Sequence, residues 1–156
     1  MFPPQFIAPG RIGNDLQIAS KKRLLEVLAE LMASGVPELS SAAVFEHLLE
    51  RERLGSTGLG HGIALPHARM KDVGEAIGAF VQLQEGVEFN AIDEQPVDLA
   101  FAMLVPESAN EVHLQLLSKL AIMFDNKELR AQLRDAPNQQ TIYQLLVSGE
   151  VQTPDG

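Results

Sequence analysis

An uninterrupted apolar run, VDLAFAMLV at residues 97–105, constrains the fold more than any other part of the chain. A strand with one face in water would alternate polar and apolar residues, whereas this run is apolar at nearly every position. Such a run is typical of a strand buried on both faces of its sheet. Helical patterns lie before and after it in the chain. The sequence therefore predicts an α/β sandwich, in which helices flank both faces of a mixed sheet of about four to five strands.

Apolar spacing and capping residues predict the positions of the other elements. Ser20 is the expected N-cap of a helix that ends near Gly35, and Ser40 or Ser41 is the expected N-cap of a second helix. The first dozen or so residues are rich in Pro and Gly and are expected to run irregularly over the surface. Further helical patterns lie at residues 109–124, 126–135 and 138–148.

Short apolar segments in the middle of the chain predict the remaining strands. The segment GIALPH, residues 62–67, reads as a short strand closed by Pro66. Residues 76–83 read as a further strand, and residues 87–89 as a short edge strand. These strands would pair around the apolar run at residues 97–105.

The length and composition suit one domain with a proper core. The chain has 156 residues, of which 46% are hydrophobic and none is cysteine. We expect a single domain over residues 1–156, with its core in residues 10–148 and short terminal segments at 1–9 and 149–156. Without cysteine the chain has no disulfide framework and no thiolate chemistry, which suits the cytoplasm.

The charge balance excludes one large class of function. A formal net charge of −9 argues against nucleic-acid binding, which requires clustered Lys and Arg. No run approaches the roughly 18 apolar residues of a membrane span, and the start of the chain lacks the pattern of a secretory signal. We therefore expect a cytoplasmic protein without membrane insertion. The acidic balance favours a partner with a basic docking face.

The segment GSTGLGHGIALPHARM, residues 55–70, carries the candidate chemistry. His67 follows Pro66, which fixes the backbone where the strand ends, and α/β sheets build sites at such ends. A neutral imidazole can accept a phosphoryl group, and loop N–H groups and the hydroxyls of Ser56 and Thr57 could hold its oxygens. The alternative is a glycine-rich turn followed by a structural histidine.

Two other residues could join His67. His113 lies near the start of the helix that follows the apolar run, so it could reach the same strand ends or simply pack. Arg51 precedes the glycine-rich loop, where it could bind a phosphoryl group or serve as a cation at a helix end.

A metal site is the rival interpretation of these histidines. His61, His67 and His113 could together hold zinc, and His61 would share a face with His67 if the intervening residues were extended. However, no cysteine and no His-Glu-x-x-His helix is present. We therefore predict neither a metal nor a cofactor.

The segment RERLGSTGLGHGIALPHARM resembles the active-site segment of IIA proteins of the bacterial phosphotransferase system, of the fructose/mannitol type. The resemblance is strongest to the nitrogen-related branch, and it extends over residues 10–148. It implies that His67 is the phosphorylated histidine, at Nε2, that His113 is a second active-site histidine, and that Arg51 supports the phosphoryl group. The family often has Asn in place of His61 and Gly in place of Ala68.

The resemblance also implies a function. It implies a phosphocarrier, a phosphotransferase that takes its phosphoryl group from an HPr-type protein. From their hydroxyl and N–H groups, we expect Ser56, Thr57 and Gly58 to form the loop that supports the phosphoryl group. The nitrogen-related branch implies a regulator of other proteins, including potassium transport. The alternatives are a IIA component of a sugar uptake relay that passes phosphate to a IIB domain, and a non-catalytic binding module of the same fold.

Overall fold

The structure, a computed structural model, describes residues 2–3 and 5–152. A short 3₁₀ turn at Pro9–Arg11 precedes the main elements. In chain order these are β1 (Ile12–Leu16), α1 (Lys21–Ala33), α2 (Ser41–Leu54), β2 (Gly58–Gly60), β3 (Ile63–Ala64), β4 (His67–Met70), β5 (Ile77–Val87), β6 (Val97–Pro106), α3 (Glu111–Phe124), α4 (Lys127–Asp135) and α5 (Gln139–Gln152). Among the described helices, none combines the length and the apolar character that crossing a membrane requires.

The sheet is mixed and is organised around β6. The strand order is β1-β5-β6-β3-β2, and β4 also pairs with β6. β5 runs antiparallel to β6, whereas β3 and β4 lie one after the other along its opposite edge, both parallel to it. The predicted α/β class and mixed sheet are confirmed. Within the described residues the sheet has six strands instead of four to five, because the segment around Pro66 forms two strands and neither β1 nor β2 was expected.

Residues of β6 alternate between two hydrophobic cores, one on each face of the sheet. Ala100, Ala102 and Leu104 pack towards α1 and α2, where Leu28 and Leu48 are fully buried. The other face packs against α3, α4 and α5, and its largest side chains are Phe6, Phe80, Phe101 and Phe124. The apolar run is therefore a strand buried on both faces, as the sequence predicts.

The helices begin where their capping residues predict. The side chain of Ser20 accepts a hydrogen bond from the Arg23 N–H, and that of Ser40 accepts one from the Ala43 N–H. Each such cap satisfies a backbone N–H that would otherwise lack a helical partner, and contributes about 1 kcal/mol.

Three local expectations were wrong. The first dozen or so residues were expected to run over the surface, but Phe6, Ile7 and Ile12 are buried. β1, which was not expected, begins at Ile12 and pairs with β5 in parallel, and the Gln82 side chain accepts hydrogen bonds from Asn14 and from the Asp15 N–H. No separate edge strand exists at 87–89, because β5 extends to Val87. Residues 62–67 do not form one strand that Pro66 closes. β3 ends at Ala64, Pro66 lacks an N–H and interrupts the ladder, and pairing with β6 resumes in β4, which begins at His67.

A tight contact beneath β6 gives a test of this packing. A methyl group at Gly78 would lie 2.7 Å from Cε1 of Phe101, whose ring is held between those of Phe6 and Phe124. We expect Gly78→Ala to lower the free energy of unfolding by about 1–3 kcal/mol, because the aromatic cluster must shift. Urea unfolding would measure it. Gly74→Ala is the matched control, since no atom lies within 4 Å of its added methyl group. Equal midpoints for the two variants would contradict this packing.

Candidate functional site

His67 is the first residue of β4, and its ring is anchored at one nitrogen. Nδ1 lies 2.8 Å from the backbone carbonyl oxygen of Leu65. Because a carbonyl oxygen only accepts hydrogen bonds, Nδ1 carries the proton. In the neutral ring Nε2 then holds the lone pair. The backbone thus fixes which nitrogen of His67 is available as a nucleophile.

The surroundings of His67 favour the neutral ring. Burial is the main cause that lowers the pKa of His67 below its ordinary value of 6.5, and the positive charge of Arg51 acts in the same direction. The hydrogen bond to the Leu65 carbonyl and the negative charge of Glu52 raise this pKa, but they do not outweigh burial. A lowered pKa keeps the lone pair on Nε2 free at neutral pH.

A cleft of about 640 Å³ brings His67, His113 and Arg51 together. Its walls come from α2, β4, β6 and α3, and its floor includes Met103 and Val105 of the central strand. His67 and Arg51 also line a second cleft of about 310 Å³, beside the glycine-rich loop. Arg51 is steadied there, since its Nη1 donates a hydrogen bond of 2.8 Å to the Gly55 carbonyl.

His113 has the opposite arrangement of nitrogens. It is the third residue of α3, and its Nδ1 accepts a hydrogen bond of 3.2 Å from the backbone N–H of Asn110, the N-cap. Because Nδ1 accepts, the proton of the neutral ring is on Nε2. His67 therefore offers a lone pair at Nε2, whereas His113 offers a donor. This capping box, with His in the position usually held by Glu or Gln, was not recognised in the sequence, although Asn-Glu-Val-His has its spacing.

The glycine-rich loop lies beside His67, but its donors already have partners. Ser56 and Thr57 line the smaller cleft. The Thr57 N–H and hydroxyl both donate to Glu52, and the Ser56 hydroxyl donates to the carbonyl of Phe89. The Gly58 N–H donates to the Ser56 hydroxyl oxygen. The loop is thus fixed by hydrogen bonds that its donors make to Glu52, to Phe89 and within the loop itself. Its direct contact with a phosphoryl group stays a prediction.

His61 is not part of this site. It lies in the turn between β2 and β3 with a φ of 57°, and its N–H donates to the Asp93 carboxylate. It lines a different cleft, of about 330 Å³, with Asp98 and Arg134. The extended chain that would align it with His67 does not exist, because the backbone turns at His61 and Gly62. Within residues 2–3 and 5–152, no three His, Cys, Asp or Glu residues are grouped to hold a metal ion.

The charge around the main cleft differs from that of the whole chain. Arg51, Arg53 and Arg69 line it, and Glu50 is the acidic residue beside them. Leu54 and Leu114 are exposed apolar side chains on the same cleft. The net charge of −9 therefore does not describe this face, and a partner with a basic face would meet three arginines here.

The lowered pKa of His67 gives a second test. We expect NMR titration of its ring to give a pKa below 6.5. The unfolded chain then binds this proton more tightly than the folded one, so the stability that neutral His67 contributes is complete above about pH 6.5. It is lost as the pH falls through the folded-state pKa. The difference in unfolding free energy between the wild type and His67→Gln should shrink between about pH 8 and pH 5. A difference that is constant with pH would refute burial as the dominant effect.

A family model, sequence relatives and solved structures all indicate the same protein family. Residues 5–149 match the family model described as "Phosphoenolpyruvate-dependent sugar phosphotransferase system, EIIA 2". A "Nitrogen regulatory protein" of Pseudomonas aeruginosa is 46% identical over 143 residues, which are 92% of this chain and 93% of the relative. A "PTS system fructose-specific EIIA component" of Haloferax volcanii is 36% identical over 128 residues, covering 82% and 83% of the two chains.

A solved structure resembles this chain in both fold and sequence. The crystal structure of "Nitrogen Regulatory Protein IIA-Ntr" from Neisseria meningitidis has a TM-score of 0.85 and 43% identity, and the match covers 90% of this chain and 96% of that one. The family model, the sequence relatives and this structure all span nearly the whole chain. The chain therefore belongs to the EIIA 2 family of the phosphoenolpyruvate-dependent sugar phosphotransferase system, with nitrogen regulatory proteins among its relatives.

Proposed function

We propose that the protein is a phosphocarrier that accepts a phosphoryl group from the phosphohistidine of an HPr-type protein onto Nε2 of His67. One observation carries the proposal: the Leu65 carbonyl holds the proton of His67 on Nδ1, inside a cleft shared with Arg51 and His113. The ring is thus preset with one nucleophilic nitrogen, and a nucleophile of this kind needs no separate base to remove a proton.

The transfer step balances without any further reactant. Nε2 of His67 attacks phosphorus as the N–P bond of the donor breaks, and the donor imidazole leaves with the electron pair of that bond. The proton on Nδ1 stays on His67, where the Leu65 carbonyl continues to accept it. If the donor ring carries a proton on its other nitrogen, it leaves neutral while the His67 ring takes on the equivalent charge. The exchange then requires no net movement of protons.

His113 and Arg51 would stabilise the charge on the transferred group. Their donors act on the phosphoryl oxygens, which carry most of the negative charge during transfer. The tautomer of His113 suits this role because its capping bond leaves the N–H on Nε2. Arg51 adds a permanently charged, planar donor that can bind two oxygens at once.

The surface around the cleft supports a partner with carboxylates on its docking face. Arg53 and Arg69 line the cleft together with Arg51, and Leu54 and Leu114 add apolar contact area. Interfaces of this kind combine an apolar centre with complementary charges at the rim. The donor would therefore be an HPr-type protein whose surface around the phosphohistidine is acidic, in contrast to the basic face that the overall charge favours.

The onward role is proposed to be regulation in the cytoplasm, with the phosphorylation state of His67 controlling target proteins such as those of potassium transport. The similarity to proteins named as nitrogen regulatory supports this role. The similarity to the fructose-specific component of Haloferax volcanii favours a second candidate, a sugar relay that passes phosphate to a IIB domain. Incubating the phosphorylated protein with a IIB domain would separate the two.

A first experiment tests the acceptor. We expect His67→Ala to fold normally and to gain no phosphoryl group from a pre-phosphorylated HPr-type carrier, as measured by mass spectrometry of the intact protein. His61→Asn is the control, because it removes an imidazole from a separate cleft and Asn tolerates the positive φ there. Phosphorylation of the His67 variant would show that another residue is the acceptor.

A second experiment tests the role of His113. We expect His113→Gln to accept the phosphoryl group more slowly than the wild type, by about 10- to 1,000-fold, because one oriented donor to the transferred group is lost. Rapid-quench measurement of phosphorylation and of back-transfer to the carrier would give both rates. Wild-type rates in both directions would identify His113 as a residue that only caps α3.

A further inference from the structure

A carboxylate in the last turn of α2 has no role in the proposed step, although it lies close to His67. The side chain of Glu52 is only 3% exposed. The C-terminus of a helix disfavours negative charge, and a buried charge is destabilising unless it is well paired. Arg51, the neighbouring residue, faces the cleft. Local propensity therefore gives no reason for an acidic residue at position 52.

The partners of Glu52 belong to the glycine-rich loop and to α1. Its carboxylate accepts hydrogen bonds from the N–H of Thr57, at 3.1 and 3.3 Å, and from the Thr57 hydroxyl. The ammonium group of Lys21, the first residue of α1, lies 3.0 Å from Oε2. Every one of these donors points at a single buried carboxylate.

Lys21 links this carboxylate to the other hydroxyl of the loop. Its ammonium group also donates to the Phe89 carbonyl at 3.1 Å, and it lies 4.4 Å from the centre of the Phe89 ring. The same carbonyl accepts a hydrogen bond of 3.0 Å from the Ser56 hydroxyl. The two hydroxyls of the loop are therefore fixed to two acceptors, Glu52 and the Phe89 carbonyl, and Lys21 holds both acceptors together.

We propose that Glu52 and Lys21 form a positioning pair that holds the glycine-rich loop in its transfer-competent conformation beside His67. The inference rests on the proposed function, and it adds residues that contact neither phosphorus nor the donor protein. The pair also has an electrostatic role. An unpaired Glu52 carboxylate would repel a phosphoryl group on His67, and the charge of Lys21 offsets this repulsion. The influence of Glu52 on the pKa of His67 agrees with this proximity.

The kinetic test compares three variants of the full chain with phosphorylated carrier as the donor. We expect Lys21→Met and Glu52→Gln to lower kcat for phosphoryl acceptance by about 10- to 100-fold, since a misplaced supporting group can cost about that much. KM for the carrier should not change, because both residues lie away from the docking face. Glu46→Gln, an exposed residue of the same helix, is the matched control and should keep the wild-type kcat.

A second measurement separates positioning from mere support of the fold. NMR titration should give a lower pKa for His67 in Glu52→Gln than in Glu46→Gln, because the nearby negative charge is gone. In Lys21→Met the pKa of His67 should be higher than in Glu46→Gln, because a positive charge is gone. Lys21→Arg, which keeps the charge, should restore kcat to within a few-fold of the wild type. Lys21 is partly exposed, so its variants are expected to fold even if Glu52→Gln does not.

The outcomes are distinct. Unchanged kcat and an unchanged His67 pKa in folded Lys21→Met would overturn the proposal, and so would a loss of activity that Lys21→Arg fails to restore. A wild-type protein that accepts no phosphoryl group would refute the proposed function, while the titration would still report whether the pair acts on His67.

Discussion

The burial of β6 on both faces is the constraint on which the rest of the structure depends. Its side chains pack into two cores, so helices must cover both sides of the sheet. α2 and α3 lie on opposite faces, and both line the main cleft. Arg51 comes from one of these helices and His113 from the other. His67 lies between them on β4, which pairs with β6 itself. The site is thus assembled by core packing, and none of its elements could form it alone.

Pro66 links this packing to the hydrogen bond that orients the His67 ring. Its carbonyl accepts from the Met103 N–H of β6, so the chain remains attached to the sheet, although Pro66 has no N–H to continue the ladder. The Leu65 N–H meanwhile pairs with Thr57 in the loop. The Leu65 carbonyl is then available to the imidazole two residues later. A break in regular pairing thereby determines the tautomer of the candidate nucleophile.

The sequence predicted whatever depends on local pattern or on a motif. Helices with Ser caps, the buried strand and the segment around His67 were recognisable because periodicity and punctuation residues are local signals. β1 was missed because Ile-Gly-Asn-Asp-Leu has little alternation, and its pairing depends on Gln82, far away in sequence. Glu52 was missed for a related reason. In the sequence it is one charge among "ERER", and only the fold reveals that it is buried beside Thr57.

The three arginines of the main cleft have a consequence for the timing of partner exchange. With Glu50 they give the described lining of this cleft a formal charge of +2, counting three positive groups and one negative. A phosphoryl group carries about −1.5 to −2 at neutral pH, so its arrival on His67 would bring this face close to neutrality. An acidic donor that was attracted before transfer would then lose most of that attraction at the moment its cargo is delivered. In the proposed function, the same arginines that would recruit the donor would in this way promote its dissociation, and the loaded face would be open to a differently charged recipient.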